Sequence, residues 1–180
     1  MREVLPQLLA WWEAGESVGM GTVIATFRSA PRPPGASMLV GPDASAVGSV
    51  SGGCVEGAVY DVAQEVAGSG TPQLQRYGVS DDDAFAVGLT CGGILDVFVE
   101  SVSRESFPEL GEIAASVGAH EPVAVVTVVK GPDDRLGRRL VLWPDRASGT
   151  LGLQRLDDAV AADARGMLVA GRTGLMHVGH

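Results

Sequence analysis

Apolar side chains at Val55, Ala58, Val59, Val62, Ala63 and Val66 recur at i, i+3, i+4, i+7, i+8 and i+11, the spacing of one buried helix face. Cys54 opens this helix, with Ser51 or Gly53 as its N-cap, and Gly68 and Gly70 stop it. A shorter face of Val4, Leu5, Leu8, Leu9 and Trp12 predicts a first helix that Gly15 ends, with Trp11 and Trp12 as packing residues. Period-two stretches predict strands over Gly21 to Ser29, Met38 to Val40, Val47 to Val50, Gln73 to Tyr77 and Ile94 to Val102. In the last of these, Leu95, Val97 and Val99 alternate with Asp96, Phe98 and Glu100.

The second half reads similarly. Ser106-Phe107-Pro108-Glu109 has capping-box spacing and predicts a helix through Val117, ended by Gly118. Val123 to Val129 is almost continuously β-branched, which predicts a strand buried on both faces. Leu140 to Trp143 and Thr150 to Gln154 predict a strand pair joined through Pro144-Asp145-Arg146. Asp157 caps a last short helix that Gly166 ends, and Met167 to Val169 forms a separate apolar piece. The tail from Gly171 to His180 alternates like a strand without a natural ending, so the native polypeptide or assembly is expected to continue. No internal repeat is obvious, and no low-complexity linker divides the chain.

Helices and strands are mixed, and many neighbouring strands are close in sequence. The expected fold class is α+β, a mixed, largely antiparallel sheet with about three to four flanking helices. One domain over residues 1–180 is expected, with subdomains over 1–104 and 105–180.

Charge narrows the function classes. Lys+Arg 13 against Asp+Glu 22 gives a net charge of −9 without a basic block, a poor match for nucleic acid or an anionic membrane. The N-terminus lacks a signal-peptide core, and no apolar run reaches membrane-spanning length. A soluble, cytoplasmic protein is expected. Two cysteines are too few for a disulfide scaffold.

Those cysteines carry the candidate chemistry. Gly52 and Gly53 precede Cys54 at a strand-to-helix corner, where first-turn N–H groups lack partners and a thiol ionises more easily. The corner therefore offers an anion pocket rimmed by a sulfur nucleophile or metal ligand; the alternative is a cysteine packed for structure. Cys91 lies beside a second pair, Gly92 and Gly93, just before a strand. Two packing cysteines would not each need flanking glycines, so a shared site is expected. The proline-stiffened loop from Ser29 to Gly35 presents Arg28 and Arg32, which suit anion recognition or are simply solvated. Glu56 reads as a complement to the helix dipole, and Ser80-Asp81-Asp82-Asp83 as a capped turn rather than a cation site. His177 and His180 do not complete a zinc-ligand spacing with the cysteines.

Three segments together resemble the XdhC/CoxI accessory proteins of molybdenum hydroxylases. They are Ser29-x-Pro31-Arg32-x-x-Gly35, Gly48-Ser49-Val50-Ser51-Gly52-Gly53-Cys54-Val55-Glu56, and Gly88-Leu89-Thr90-Cys91-Gly92-Gly93 leading into Val97-Phe98-Val99-Glu100. The resemblance covers residues 1 to 102 well and is weaker through Gly171-Arg172-Thr173-Gly174. It implies a cytoplasmic chaperone, rather than a catalyst, that transiently binds molybdenum cofactor (molybdopterin). Such a protein protects the sulfurated form and hands it to xanthine or carbon monoxide dehydrogenase, with a cysteine desulfurase supplying sulfur. Cys54 and Cys91 would then be molybdenum ligands, the Gly52-Gly53 and Gly92-Gly93 backbones would line the pocket, and Arg32 would hold an anionic group. Many members carry a C-terminal Rossmann-type domain, which residues 1–180 do not include. Self-association is expected of such an accessory protein. A cysteine-based thiol or redox enzyme or sulfur carrier, and an interaction domain without ligand, stand as alternatives.

Overall fold

The computed structural model describes residues 1–27, 32–53, 55–78 and 93–179. The chain divides into two units, Met1–Ser106 and Phe107–His180. The architecture is α+β, with two antiparallel sheets.

In the first unit a 3-10 turn at Arg2–Val4 leads into α1 (Leu5–Glu13). There follow β1 (Val18–Phe27), β2 (Ser37–Val40), β3 (Ala46–Gly48), α2 (Glu56–Ser69), β4 (Gln73–Tyr77) and β5 (Ile94–Val102). The sheet order is β3-β2-β1-β5-β4, antiparallel throughout. One apolar cluster joins Val23, Met38, Val40, Leu95, Val97 and Val99 of the sheet to Val59, Ala63 and Val66 of α2. Glycine draws the helix onto the sheet: a Cβ on Gly19 would fall 2.3 Å from the Ala63 carbonyl oxygen, and one on Gly21 2.8 Å from the Val59 side chain. Those contacts run in opposite chain directions, so the N-terminal end of α2 lies toward the C-terminal end of β1. Phe27 pairs with Ile94 and Tyr77 with Leu95, so β5 starts and β4 ends at that same end of the sheet.

The second unit contains α3 (Leu110–Gly118), β6 (Ala124–Thr127), β7 (Arg139–Leu142), β8 (Ala147–Gly149) and α4 (Gln154–Ala170). Its sheet order is β6-β7-β8, antiparallel. Leu140, Leu142, Leu151, Val160 and Ala164 form the core, with Ala124, Val126, Val128 and Met176 packed alongside. Trp143 is fully buried, and its indole N–H donates to Ser116 Oγ at 2.8 Å.

Several sequence expectations change. Helix α2 begins at Glu56 with Val55 as N-cap, not at Cys54, because Gly52 and Gly53 take φ of 73° and 117°, outside helical space. Ser106 forms no capping box: its hydroxyl donates to the Ser101 carbonyl, and Glu109 is the N-cap of α3 without a side-chain cap bond. Strand β6 is a half-buried edge strand rather than one buried on both faces. Thr150 to Gln154 is a turn into α4, and α4 runs through Gly166 to end at Gly171 in a left-handed cap.

The two units also repeat one motif, β-β-β-α, which the sequence pattern did not reveal. Gly48 and Gly149 have φ of 87° and 86°, and a Cβ on either would lie 2.4 Å from a carbonyl oxygen of the neighbouring strand, Ser37 or Arg139. Each helix is capped by a left-handed glycine, Gly70 or Gly171. Val59 and Ala63 of α2 match Val160 and Ala164 of α4, again 101 positions on. At the head of the second strand, Gly35 and Gly137 each donate to the carbonyl of Val23 or Val128, at 2.8 and 2.9 Å.

Candidate functional site

The corner before α2 is held by one carboxylate. Glu56 accepts hydrogen bonds from the Ser51 N–H at 3.2 Å, the Gly53 N–H at 3.1 Å and the Ser49 hydroxyl at 3.3 Å. The Ser51 hydroxyl also donates to Glu56 and accepts from the Val55 N–H at 2.9 Å. The Gly52 N–H donates to Ser49 Oγ at 2.9 Å. The N–H groups of Gly52 and Gly53, whose backbone was expected to line the pocket, are thus engaged inside the chain. Glu56 does more than complement the helix dipole: it fixes the shape of the loop that leads into Cys54.

The two glycines themselves are exposed, and among the described residues nothing lies within 4 Å of where a Gly53 Cβ would project. Cys54, Cys91 and Gly92 lie outside the described residues, as do Arg28 and Ser80-Asp81-Asp82-Asp83. Their described neighbours lie toward one end of the first sheet. Val55 precedes the N-terminal end of α2, and buried Gly93 precedes β5, at the same end of the first sheet.

Arg32 is described and partly engaged. Its guanidinium pairs with Glu3 at 2.6 Å, while its Nε is buried without an acceptor among the described residues. The turn that carries Glu3 also sets Val4 against Gly48, since a Cβ there would meet Val4 Cγ1 at 2.5 Å. Arg32 is thereby linked, through Glu3, Val4 and Gly48, to the Ser49–Gly53 loop.

Tyr77 escaped the sequence reading. It ends β4 at this end of the sheet, is 8% exposed, and packs in the cluster that holds Val50 and Val55. Its hydroxyl is buried without a partner among the described residues, and burial pushes the phenol pKa up. A buried unpaired hydroxyl costs about 1–3 kcal/mol, so it marks a place for a further polar group. The only sequence signal was a tyrosine closing a strand just before Gly78. Ser49 was likewise missed, its signal a hydroxyl seven residues before an acid; Ser51, expected as an N-cap candidate, joins Glu56 to the Val55 N–H.

Among the described residues no group of three or more His, Cys, Asp or Glu could hold a metal ion. No described helix is long and apolar enough to cross a membrane.

Comparison with known proteins follows the same lines. The model of the XdhC and CoxI family matches two segments, residues 11–78 and 116–179. The chain is 30% identical over 120 residues to a Bacillus subtilis protein described as a probable xanthine dehydrogenase subunit, covering 66% of this chain and 36% of that protein. It is 40% identical over 80 residues to the molybdenum cofactor insertion chaperone PaoD of Escherichia coli, covering 44% of this chain and 25% of that protein. A crystal structure described as a xanthine dehydrogenase from Bacillus halodurans shares the fold, with a TM-score of 0.64 and 24% identity over 81% of this chain and 44% of that one. The chain therefore spans less than half the length of each of these relatives. With both matched segments falling on the repeated motif, the chain belongs to the XdhC and CoxI family.

Proposed function

We propose that this chain is an accessory protein of molybdenum hydroxylase maturation, which binds molybdenum cofactor transiently and passes it to a xanthine or carbon monoxide dehydrogenase. The observation that supports this reading is that the residues flanking both cysteines, Val55 and Gly93, lie toward the same end of the first sheet, in a chain of this family. The cofactor is the cargo. It has a soft molybdenum–sulfur head, oxo groups and a terminal phosphate.

Cys54 and Cys91 would ligate the soft head as thiolates. Because Glu56 and Ser49 already take the Gly52 and Gly53 N–H groups, the corner serves to present Cys54 rather than to bind the phosphate. The backbones of both glycine pairs would line the pocket for the cargo, and Arg32 takes an anionic group by exchanging Glu3 for it. The Tyr77 hydroxyl gives the cargo a buried donor. A sulfur-supplying cysteine desulfurase and self-association belong to the same reading.

The test is molybdopterin retained by the protein purified from cofactor-producing cells, measured as its oxidised fluorescent derivative. Cys54→Ser is expected to lower retention about tenfold, the loss of a contact near 1.4 kcal/mol. Arg155→Ala, in the second unit, should leave it unchanged. Equal retention in wild type and Cys54→Ser would end the ligand role of Cys54.

A further inference from the structure

We infer that Glu3 is a tethered competitor at Arg32: it pairs with the guanidinium when no other anion does, and it weakens the hold on the cargo's anionic group so that the group leaves readily. The inference rests on the reading that Arg32 takes such a group, and it names the residue that sets how tightly.

Two arginines of the first unit show the difference between a finished ion pair and an unfinished one. Arg76 is forked onto its cross-strand neighbour Asp96, with Nε donating to Oδ1 at 2.7 Å and Nη2 to Oδ2 at 3.0 Å. One edge of that guanidinium is thereby fully used. Arg32 donates from Nη2 to Glu3 Oε2 at 2.6 Å, but its Nε is buried without an acceptor among the described residues. The side chain of Asp96 is 14% exposed and that of Glu3 is 72% exposed. A single contact to an exposed carboxylate is a weak pair, whereas a two-point fork onto an oxyanion is a strong one. A buried N–H without an acceptor also costs stability. An ion pair that served the fold alone would use the edge as Arg76 does. A phosphate-type oxyanion carries enough oxygens to accept from Nε and Nη2 together, which Glu3 does not do.

Glu3 yields its place without going away. Its neighbours Val4 and Leu5 are 2% and 5% exposed, and its turn packs on β2 and β3. A Cβ on Gly48 would fall 2.5 Å from Val4 Cγ1. The turn runs directly into α1, whose Trp11 ring lies so close to Gly41 that a Cβ there would fall 2.3 Å from it. The backbone at Glu3 is therefore fixed, and only the side chain swings aside. A tethered group competes at its effective concentration, on the order of millimolar even for a flexible link. Once displaced, the carboxylate still stands within the screening length of about 8 Å and repels the bound anion. Both effects lower affinity and leave the site intact, which suits a protein that must give its cargo up.

The probe is inorganic phosphate at about pH 8 and constant ionic strength, titrated into the full chain while the Arg32 Nε–H signal is followed by NMR. The signal is expected to shift and to saturate. Glu3→Gln keeps the size of the side chain and removes its charge, and should tighten phosphate binding about fivefold, the worth of a good exposed pair. Arg32→Gln should abolish binding, alone or combined with Glu3→Gln. Glu65→Gln removes the same charge from an exposed position on α2 and should leave the affinity unchanged. No tightening in Glu3→Gln, or no shift of the Arg32 signal in either protein, would overturn the inference. Molybdopterin retention separates this result from the cargo reading. Tighter phosphate binding in a protein that retains no molybdopterin would keep Glu3 as the competitor and remove the cargo; retention without any tightening would do the reverse.

Discussion

The two units share a carboxylate clamp and differ in what the clamp encloses. In the first, Glu56 holds Ser49, Ser51 and Gly53; in the second, Asp157 accepts from the Leu151 N–H at 2.7 Å and the Thr150 hydroxyl at 2.6 Å, while the Gly152 N–H donates to Thr150 Oγ1 at 3.0 Å. Hydroxyl and acid are seven residues apart in both. Between them the first unit has Ser51-Gly52-Gly53-Cys54 and the second Gly152-Leu153-Gln154-Arg155. Helix α4 begins at Gln154, whereas α2 begins three positions later in the shared frame, at Glu56. The paired glycines unwind one helical turn and turn it into an exposed loop. The acid then has farther to reach, which is consistent with Glu in the first unit and Asp in the second. The clamp is thus a property of the motif, and the glycine pair with its cysteine is what the first unit adds. A ligand role belongs to the added part.

The comparison breaks most readily at the glycines that the motif requires. Gly48→Ala and Gly149→Ala each force a left-handed φ on a residue with a Cβ and set that carbon 2.4 Å from a backbone oxygen. Each is expected to destabilise its unit by about 3 kcal/mol, measured by urea unfolding monitored through amide signals of that unit. A cost under about 1 kcal/mol in one unit and not the other would mean that the shared geometry is coincidental.

The clamps come next. Asp157 is buried, and Asp157→Ala strands the buried Leu151 N–H and the Thr150 hydroxyl, so a loss of about 2–3 kcal/mol is expected. Glu56 is half-exposed and water replaces part of what it supplies, so Glu56→Ala should cost about 1 kcal/mol. The order of the two values is the test. A larger loss at Glu56 would make its carboxylate more than a clamp. Thiol alkylation then gives a second measurement: Glu56→Ala loosens the loop and should change the labelling rate of Cys54, whereas Asp157→Ala should not.

Much of this architecture was readable from side-chain pattern, and the failures share a cause. Strands β4 and β5 were bounded correctly because Gln73 and Ile94 follow clear breaks and alternation persists to Tyr77 and Val102. Gly166 misled, since a glycine on an exposed helix face costs about 1 kcal/mol without ending a helix that Val160 and Ala164 anchor. The capping box at Ser106 failed because its hydroxyl oxygen accepts from the Ser103 N–H and the helix starts only at Leu110, with Glu109 as its N-cap. The repeat escaped because its equivalences are conformational. Gly48 and Gly149 keep identity for their φ, but Val50 matches Leu151 and Ser49 matches Thr150 only in kind. At the site, the cysteines stood out through their glycines, while the Tyr77 hydroxyl has no signature short of its buried position.

Tyr77 gives the smallest effect and the sharpest contrast between the units. Its counterpart, seven residues beyond the helix cap, is Val178, which has no hydroxyl to satisfy. Among the described residues, the first unit bears a buried O–H without a partner, and the second has none at the matching place. Tyr77→Phe is therefore expected to leave stability at pH 7 unchanged or raise it by up to about 1 kcal/mol, while lowering molybdopterin retention. The pH dependence has a definite sign. Burial raises the folded phenol pKa above its ordinary value of 10.0, so the unfolded chain loses that proton first. The stability linked to Tyr77 is full below pH 10 and falls as pH rises through the folded value, and Tyr77→Phe removes that part of the decline. A loss of more than about 1 kcal/mol at pH 7 would mean that the hydroxyl already serves the fold. Tyr77 would then be a structural residue like Ser51, and the cargo would have to be held by Cys54, Cys91 and Arg32 without it.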